Sequence, residues 1–250
     1  MNKEVVLSDR LKSAAAMVTC GNRVVDVGCD HGFMSIYLVQ QGISPGCLAM
    51  DVRTGPLSRA REHVAEYQLD AYIETRLSDG LKAYEKGEAD AMLCCGMGGP
   101  LMCRILEESR EKVKTLRELI LQPQSELPAF RRYLREHGYL ITKEDMVLED
   151  GKYYFILHVV LDEGTAAVPS AEVIVEPVSE ERQLLWDSFG RYNLENRHPV
   201  LHSYLEYRLH GVADIERQLA GQNKERTLER KVQLEQEKGL LEQALDTYYR

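Results

Sequence analysis

Arg23-Val24-Val25-Asp26-Val27-Gly28-Cys29-Asp30-His31-Gly32 begins as a strand and ends as a turn. Its first five residues are mostly apolar and β-branched, the pattern of a short strand buried on both faces. Gly28 and Gly32 bracket a strand-to-helix turn, where a missing Cβ lets backbone approach a ligand. The helix predicted next, Phe33–Gln40, carries apolar residues at 33, 36, 37 and 38 and stops near Gly42.

Outward from that stretch the same alternation repeats. A second strand is expected at Cys47–Asp51, then a helix from about Pro56 past Tyr67. Further strands are expected at Tyr72–Leu77, Ala89–Cys94 and Leu119–Gln122, with helices at Pro100–Glu108 and Ala129–His137. Strands alternating with helices of this length form βαβ units in a mainly parallel sheet. The pattern then changes: Tyr139–Leu148 and Tyr153–Leu161 flank Glu149-Asp150-Gly151-Lys152, a β-hairpin with turn residues at its tip. Five α/β strands closed by a hairpin follow the order of the seven-stranded class I methyltransferase sheet, a Rossmann-like α/β fold. A dinucleotide-binding domain would continue with another βαβ crossover instead.

Three segments are therefore expected: a catalytic domain over 1–163, a linker over 164–178 and a helical domain over 179–250. In the last, Leu205, Val212 and Leu219 recur every seven residues, and Leu234, Leu241, Leu245 and Tyr248 mark a second helix. Two charged amphipathic helices joined by a short loop read as an antiparallel, coiled-coil-like α-helical hairpin. At about three heptads per arm it needs packing against something else.

Composition excludes several classes. The 250 residues carry 31 Lys and Arg against 40 Asp and Glu, a formal net charge of −9, so a histone-like protein is ruled out. The N-terminus lacks a secretory apolar core, and no stretch approaches the roughly 20 apolar residues of a membrane span. A cytoplasmic location is expected. Six cysteines without a Cys-x-x-Cys pair suit neither zinc nor a disulfide framework; they read as reduced, buried thiols, and no metal is expected.

Acids at successive strand ends carry the chemistry. A phosphate-binding loop has no use for a carboxylate such as Asp26 before its glycine. S-adenosylmethionine carries an ammonium and a sulfonium and no phosphate, and Asp26 suits that cation. Asp51 ends the second strand, where an acid binds ribose hydroxyls or caps the next helix. Asp79-Gly80 follows the third, placed to read an adenine edge or simply to turn the chain. Gly28, Asp30, Gly32 and Gly96 complete the expected cofactor set. Gly96-Met97-Gly98-Gly99 after the fourth strand leaves backbone space for a flat substrate or makes a tight strand-to-helix crossover, and Leu121-Gln122-Pro123-Gln124 presents amides at the same edge, with Gln122 placed to bond a base or to cap the adjacent loop.

With these motifs in view, the chain resembles the bacterial tRNA (adenine-N1)-methyltransferases that modify adenine 22. The resemblance runs through Leu7–Leu11, Asp26–Gly32, Gly87–Ala91, Gly96–Gly99, Leu119–Pro123 and Glu149–Lys152. It implies a class I domain with a C-terminal coiled-coil domain, S-adenosylmethionine as cofactor and tRNA as partner. Asp51 stands where that family often has Glu, and Phe155 where a Glu commonly follows the hairpin aromatic.

Adenine N1 has its own lone pair, so no general base is needed. Positive charge develops on the ring, for which Asp30 is the expected stabiliser, with His31 either positioning the base or phosphate or simply satisfying the turn, and Gly96, Met97 and Gln122 beside it. Phe33 reads either as a stacking platform or as a core aromatic. Residues 1–165 hold 20 basic and 25 acidic side chains, so RNA binding must use local patches. Arg10, Lys12, Arg104, Arg131, Arg132 and Arg135 are the expected contacts. A monomer is expected, with dimerisation through the helical hairpin left open.

Overall fold

A computed structural model describes residues 4–161, 178–221 and 225–250. The chain divides into two compact units, Met1–Ile174 and Val175–Arg250. Apart from Val178, the expected linker at 164–178 lies outside the described residues.

The first unit is built on one seven-stranded sheet of order β3-β2-β1-β4-β5-β7-β6. Its strands are β1 (Val24–Val27), β2 (Cys47–Asp51), β3 (Ile73–Leu77), β4 (Ala91–Met97), β5 (Glu118–Pro123), β6 (Tyr139–Glu149) and β7 (Lys152–Leu161). The neighbours among β1–β5 are parallel, while β7 runs antiparallel between β5 and β6. Helices α1 (Asp9–Met17), α2 (Phe33–Gln40), α3 (Thr54–Glu66), α4 (Gly99–Glu108), α5 (Arg110–Val113) and α6 (Leu127–Glu136) cover it. Two apolar layers explain the unbroken β-branched runs. Val25, Val27, Met92 and Leu119 pack on one side, and Val24, Ala49, Leu93 and Ile120 on the other. Successive strand residues point to opposite faces, so a strand buried twice must be apolar throughout.

The expected β-hairpin is present, as are the five α/β strands, within one to three residues at each end. Two helices, α1 and α5, were not expected. The first has Ala14 and Ala15 buried and the polar Asp9, Arg10 and Lys12 in its opening turn. β4 runs three residues past its expected end because a bulge between Cys95 and Met97 keeps it paired with β5 through the glycine. The thiols are not uniformly buried: Cys29, Cys47 and Cys94 are, Cys95 and Cys103 are partly covered, and Cys20 is exposed. Burial pushes the Cys47 and Cys94 thiols up to about 12, which keeps them inert.

A polar clip ties the sheet together at the edge where β5 begins. Glu118, buried, accepts hydrogen bonds from the Thr19 backbone N–H (2.9 Å), Thr19 Oγ1 (2.6 Å) and Asn22 Nδ2 (2.9 Å), with His158 Nε2 at 2.8 Å. Burial alone would raise its pKa, but the hydrogen bonds from His158, Thr19 and Asn22 outweigh burial and lower it to about 2. A depressed carboxylate gives stability that is complete above its unfolded pKa, about 4.3, and fades as pH falls toward 2. Glu118→Gln should therefore cost roughly 2–3 kcal/mol at pH 7 and flatten the melting temperature between pH 5 and 2, read by circular dichroism. An unchanged acid limb would show that the clip does not carry the pH dependence.

The second unit holds α7 (Glu180–Phe189), α8 (Arg191–Glu195), α9 (Pro199–Gln218) and α10 (Glu225–Tyr248). α9 and α10 form the expected helical hairpin, joined by the Arg208–Glu237 ion pair and by Tyr249 Oη donating to the His198 carbonyl at 3.0 Å. α7 and α8 were not foreseen. Trp186 on α7 donates to Tyr248 Oη at 3.3 Å, so the hairpin arms end against this helix pair.

Candidate active site

Loops at the carboxyl ends of β1 to β5 enclose a cleft of about 570 Å³, within the range that holds a nucleoside-sized ligand. The strand directions bring distant positions to this one edge. Asp26, Gly28, Asp30, Asp51, Asp79, Gly80, Gly96 and Met97 of the sequence prediction all line it, with His31, Phe33, Arg10 and Arg104.

Asp26 sits on the floor, only 4% exposed, and accepts a hydrogen bond from Ser35 Oγ at 2.8 Å. Burial raises its pKa to about 6, the Ser35 bond opposing and the nearby Asp51 charge adding to the rise. A buried acid facing a cleft, with one hydroxyl donor holding it, is suited to an incoming cation. Asp51 is also buried and accepts from the backbone N–H groups of Asp30 (3.2 Å) and Arg53 (2.8 Å), so its carboxylate is aimed by the two flanking turns. That arrangement makes it a cleft wall and not a helix cap, since α3 begins after Arg53 with no side-chain cap.

The glycines are there for space. At Gly28 φ is +78°, and a Cβ would stand 2.3 Å from Met97 Cε, so the Met97 side chain lies directly over the turn after β1. At Gly99 a Cβ would stand 2.6 Å from the Ser125 carbonyl oxygen, which lets the start of α4 press against the loop after β5. Gly32 is the N-cap residue of α2 and does not line the cleft.

At the β3 end, Asp79 pairs with Lys82 Nζ at 2.5 Å and Arg104 Nη2 at 3.5 Å. Lys82, more than Arg104, holds the Asp79 carboxyl below its usual range. Arg104 thus faces the cleft with its charge already shared with Asp79. Asp30 is exposed at the rim with His31 Nε2 3.7 Å from its Oδ1. Phe33 is 37% exposed and stacks on His63 of α3, with centroids 4.5 Å apart. The His63 Nδ1–H donates to the His31 carbonyl at 2.9 Å. The hydrophobic period of α3, Leu57, Ala60 and Val64, left His63 on its flank with no signal that it would meet Phe33.

Several expected contacts lie elsewhere. Gln122 is fully buried, off the cleft, with its Oε1 accepting from Arg10 Nη1 at 3.2 Å. Its neighbour Gln124, one residue beyond β5, lines the cleft instead. Arg10 is bound into the wall: its guanidinium pairs with Glu149 at 3.2 Å and lies over the Tyr154 ring at 5.0 Å. Lys12 pairs with Asp9 at 3.0 Å and does not line the cleft. Arg131 is not a surface residue: it forms an ion pair with Glu144 at 2.9 Å, the two side chains 2% and 1% exposed, and lies over Phe155. Its charge is spent inside the fold, so it leaves the set of RNA contacts. Arg132 and Arg135 are exposed on α6, which leaves the cleft edge at Leu127, so that Arg135 falls in the last turn toward the opposite edge.

Among the described residues no group of three or more His, Cys, Asp or Glu could hold a metal ion, and no helix is long and apolar enough to cross a membrane.

Residues 7–157 match the family of methyltransferase domains. The tRNA (adenine(22)-N(1))-methyltransferase of Bacillus subtilis is 36% identical over 154 residues, 62% of this chain and 65% of that protein, so the alignment spans just under two thirds of the relative. The crystal structure of the B. subtilis m1A22 tRNA methyltransferase superposes with a TM-score of 0.81 at 27% identity, covering 97% of this chain and 100% of that one. Sp1610 of Streptococcus pneumoniae, a candidate tRNA (m1A22) methyltransferase solved in complex with S-adenosyl-L-methionine, superposes with a TM-score of 0.79 at 27% identity over 96% of this chain and 100% of that one.

Proposed function

We propose, from the membership of this chain in the methyltransferase-domain family and its likeness to the tRNA (adenine22-N1)-methyltransferases, that it transfers a methyl group from S-adenosylmethionine to N1 of adenine 22 in tRNA. The observation that carries the reading is the buried carboxylate of Asp26 at the cleft floor, next to the aimed carboxylate of Asp51. These two acids and a glycine turn suit a ligand with a cationic amine and a ribose. They do not suit a pyrophosphate, which the two carboxylates would repel.

When bound, S-adenosylmethionine supplies a methyl group made electrophilic by its sulfonium. The rest is done by the protein. Asp26 holds the ammonium, Asp51 accepts from the ribose, and Ser78–Gly80 with Ile105 bounds the base of the cofactor. The turn at Gly96, which has no side chain, would leave room for donor and acceptor to approach to about 3–3.5 Å. Positive charge appearing on the adenine ring is stabilised by Asp30 and the cleft-facing backbone at the end of β4. No residue need take a proton before attack, because N1 is already a nucleophile.

N1 lies on the pairing edge, so the base must leave its stack at a cost of a few kcal/mol. Contacts to tRNA offset that cost, and of the basic residues expected from the sequence Arg104, at the cleft, and Arg132, exposed on α6, remain to make them. Such a reaction belongs in the bacterial cytoplasm, where tRNA is.

The test is incubation with labelled S-adenosylmethionine and unmodified bulk tRNA, followed by nucleoside mass analysis and mapping. N1-methyladenosine at position 22 is the expected product. Label transfer to a small molecule without RNA, or methylation at another ring position, would refute the assignment.

A further inference from the structure

Resting on the adenine reading above, the geometry points to Gln124 as the residue that selects the base, by pairing its carboxamide with the N6 and N7 edge of adenine. The end of β5 carries two carboxamides separated by Pro123, and the structure gives them opposite fates. Gln122 turns into the protein, fully buried, with its carbonyl oxygen committed to Arg10. Gln124 is exposed and lines the cleft, and its side chain makes no hydrogen bond to any described residue.

Its backbone is nevertheless fixed. Pro123 restrains the chain before it, and the Gln124 backbone N–H donates to the Met97 carbonyl at 2.9 Å. That bond sits beside the β4 bulge, where Gly96 has φ +84°. Gln124 Nε2 lies 3.6 Å from the point a Cβ on Gly96 would occupy. The amide therefore hangs over bare backbone at the end of β4, with no side chain from Gly96 between it and the cleft.

The chemistry of a carboxamide then decides what it reads. It offers one acceptor, Oε1, and one donor, the Nε2–H, side by side. Adenine presents the complementary pair at the N6 amine and N7, the match that Asn and Gln make in reading nucleic acid. Of the two edges of adenine that carry N6, only this one leaves N1 free to face a methyl donor. Guanine presents two acceptors there, O6 and N7, so one of them would oppose Oε1. The carboxamide is also neutral, so it selects the base without competing with Asp30 for the positive charge that forms.

The experiment uses tRNA transcripts with a single substitution at position 22: adenine, 7-deazaadenine (which lacks the N7 acceptor) or guanine. Wild-type protein and Gln124→Ala are compared by kcat/KM, with S-adenosylmethionine affinity and melting temperature as controls. A well-formed two-point pair is worth roughly tenfold to a hundredfold in discrimination. Wild type should lose about tenfold from adenine to 7-deazaadenine. Gln124→Ala should lose at least as much on adenine and then show no further loss on 7-deazaadenine, with cofactor affinity and melting temperature unchanged. Equal sensitivity of the two proteins to the missing N7, or an unimpaired Gln124→Ala on adenine, would overturn the assignment while leaving N1 methylation intact. A wild-type protein that methylates none of the transcripts would overturn the adenine reading, and this assignment with it.

Discussion

Asp26→Asn should lower affinity for S-adenosylmethionine about a hundredfold at pH 7.5 while making the ligand-free protein more stable. Both effects come from one buried charge. In the reading proposed above, the carboxylate meets the cofactor ammonium in a site sheltered from water. Removing one partner of such a pair costs roughly 2–5 kcal/mol, and a hundredfold corresponds to about 2.7 kcal/mol. Without the ligand the same charge is a burden, as its pKa of about 6 records. A carboxyl group whose folded pKa lies above its unfolded value of 3.8 destabilises the fold as pH rises from about 4 to 6, and fully above that. Asparagine keeps the shape and can still accept from Ser35, but carries no charge to bury. Its melting temperature should exceed wild type at pH 8 and fall to or below it at pH 4.

The same group gives binding an acid limb. Below pH 6 the cofactor must expel a proton from Asp26, so wild-type affinity should weaken toward tenfold per pH unit, and Asp26→Asn should lose that dependence. Isothermal titration at pH 5, 6 and 7.5 measures it. Wild-type and Asn proteins with parallel pH profiles would remove Asp26 from the ammonium site, whatever the absolute affinities.

The parts of the fold legible in the sequence are those where one physical demand acts on every residue of a segment. β1 and β2 are covered on both faces, so each position must be apolar or, like Asp26 and Asp51, reserved for the cleft at the strand end. The hairpin of β6 and β7 was legible for a different reason: Asp150 and Gly151 both adopt positive φ, and few other residue pairs do so cheaply. What stayed hidden depends on meetings between distant segments. Arg10 reads as a surface charge until α1 brings it to Gln122, Glu149 and Tyr154, and His63 reads as a helix flank until Phe33 meets it. Gln122 and Gln124 are equivalent as residue types. The register of β5, ending at Pro123, turns one inward and leaves the other in the cleft. Arg131 is different, because its signal was present. Leu127, Phe130, Arg131 and Leu134 follow the i, i+3, i+4, i+7 spacing of a buried helical stripe, which places this arginine among the core positions. Its partner was harder to foresee. The irregularity between Ile141 and Lys143 shifts the register of β6, and Glu144 comes to lie beyond it, opposite Leu157 of β7.

Arg131→Ala is therefore expected to act on stability rather than on RNA. The substitution takes the guanidinium away from the buried Glu144 carboxylate and from the Phe155 ring that it covers. Breaking a buried pair from one side costs roughly 3–5 kcal/mol, which for a unit of this size lowers the melting temperature by about 10 °C. The presence of Phe155 fits this role: a second acid at that place would have competed with Glu144 for one guanidinium. Arg132→Ala with Arg135→Ala is the control, since both are exposed and should change stability by no more than about 0.5 kcal/mol. Arg131→Met combined with Glu144→Leu removes both charges at similar volume and should recover most of the loss, because the cost lies in the stranded charge and not in the missing attraction. Urea unfolding of the four proteins separates the outcomes. If Arg131→Ala lost under 1 kcal/mol, or if the double replacement were as unstable as the single one, the buried pair would not be what holds α6 to β6. Under either result, weaker tRNA binding by Arg131→Ala at a temperature where it is partly unfolded carries no information about the RNA surface.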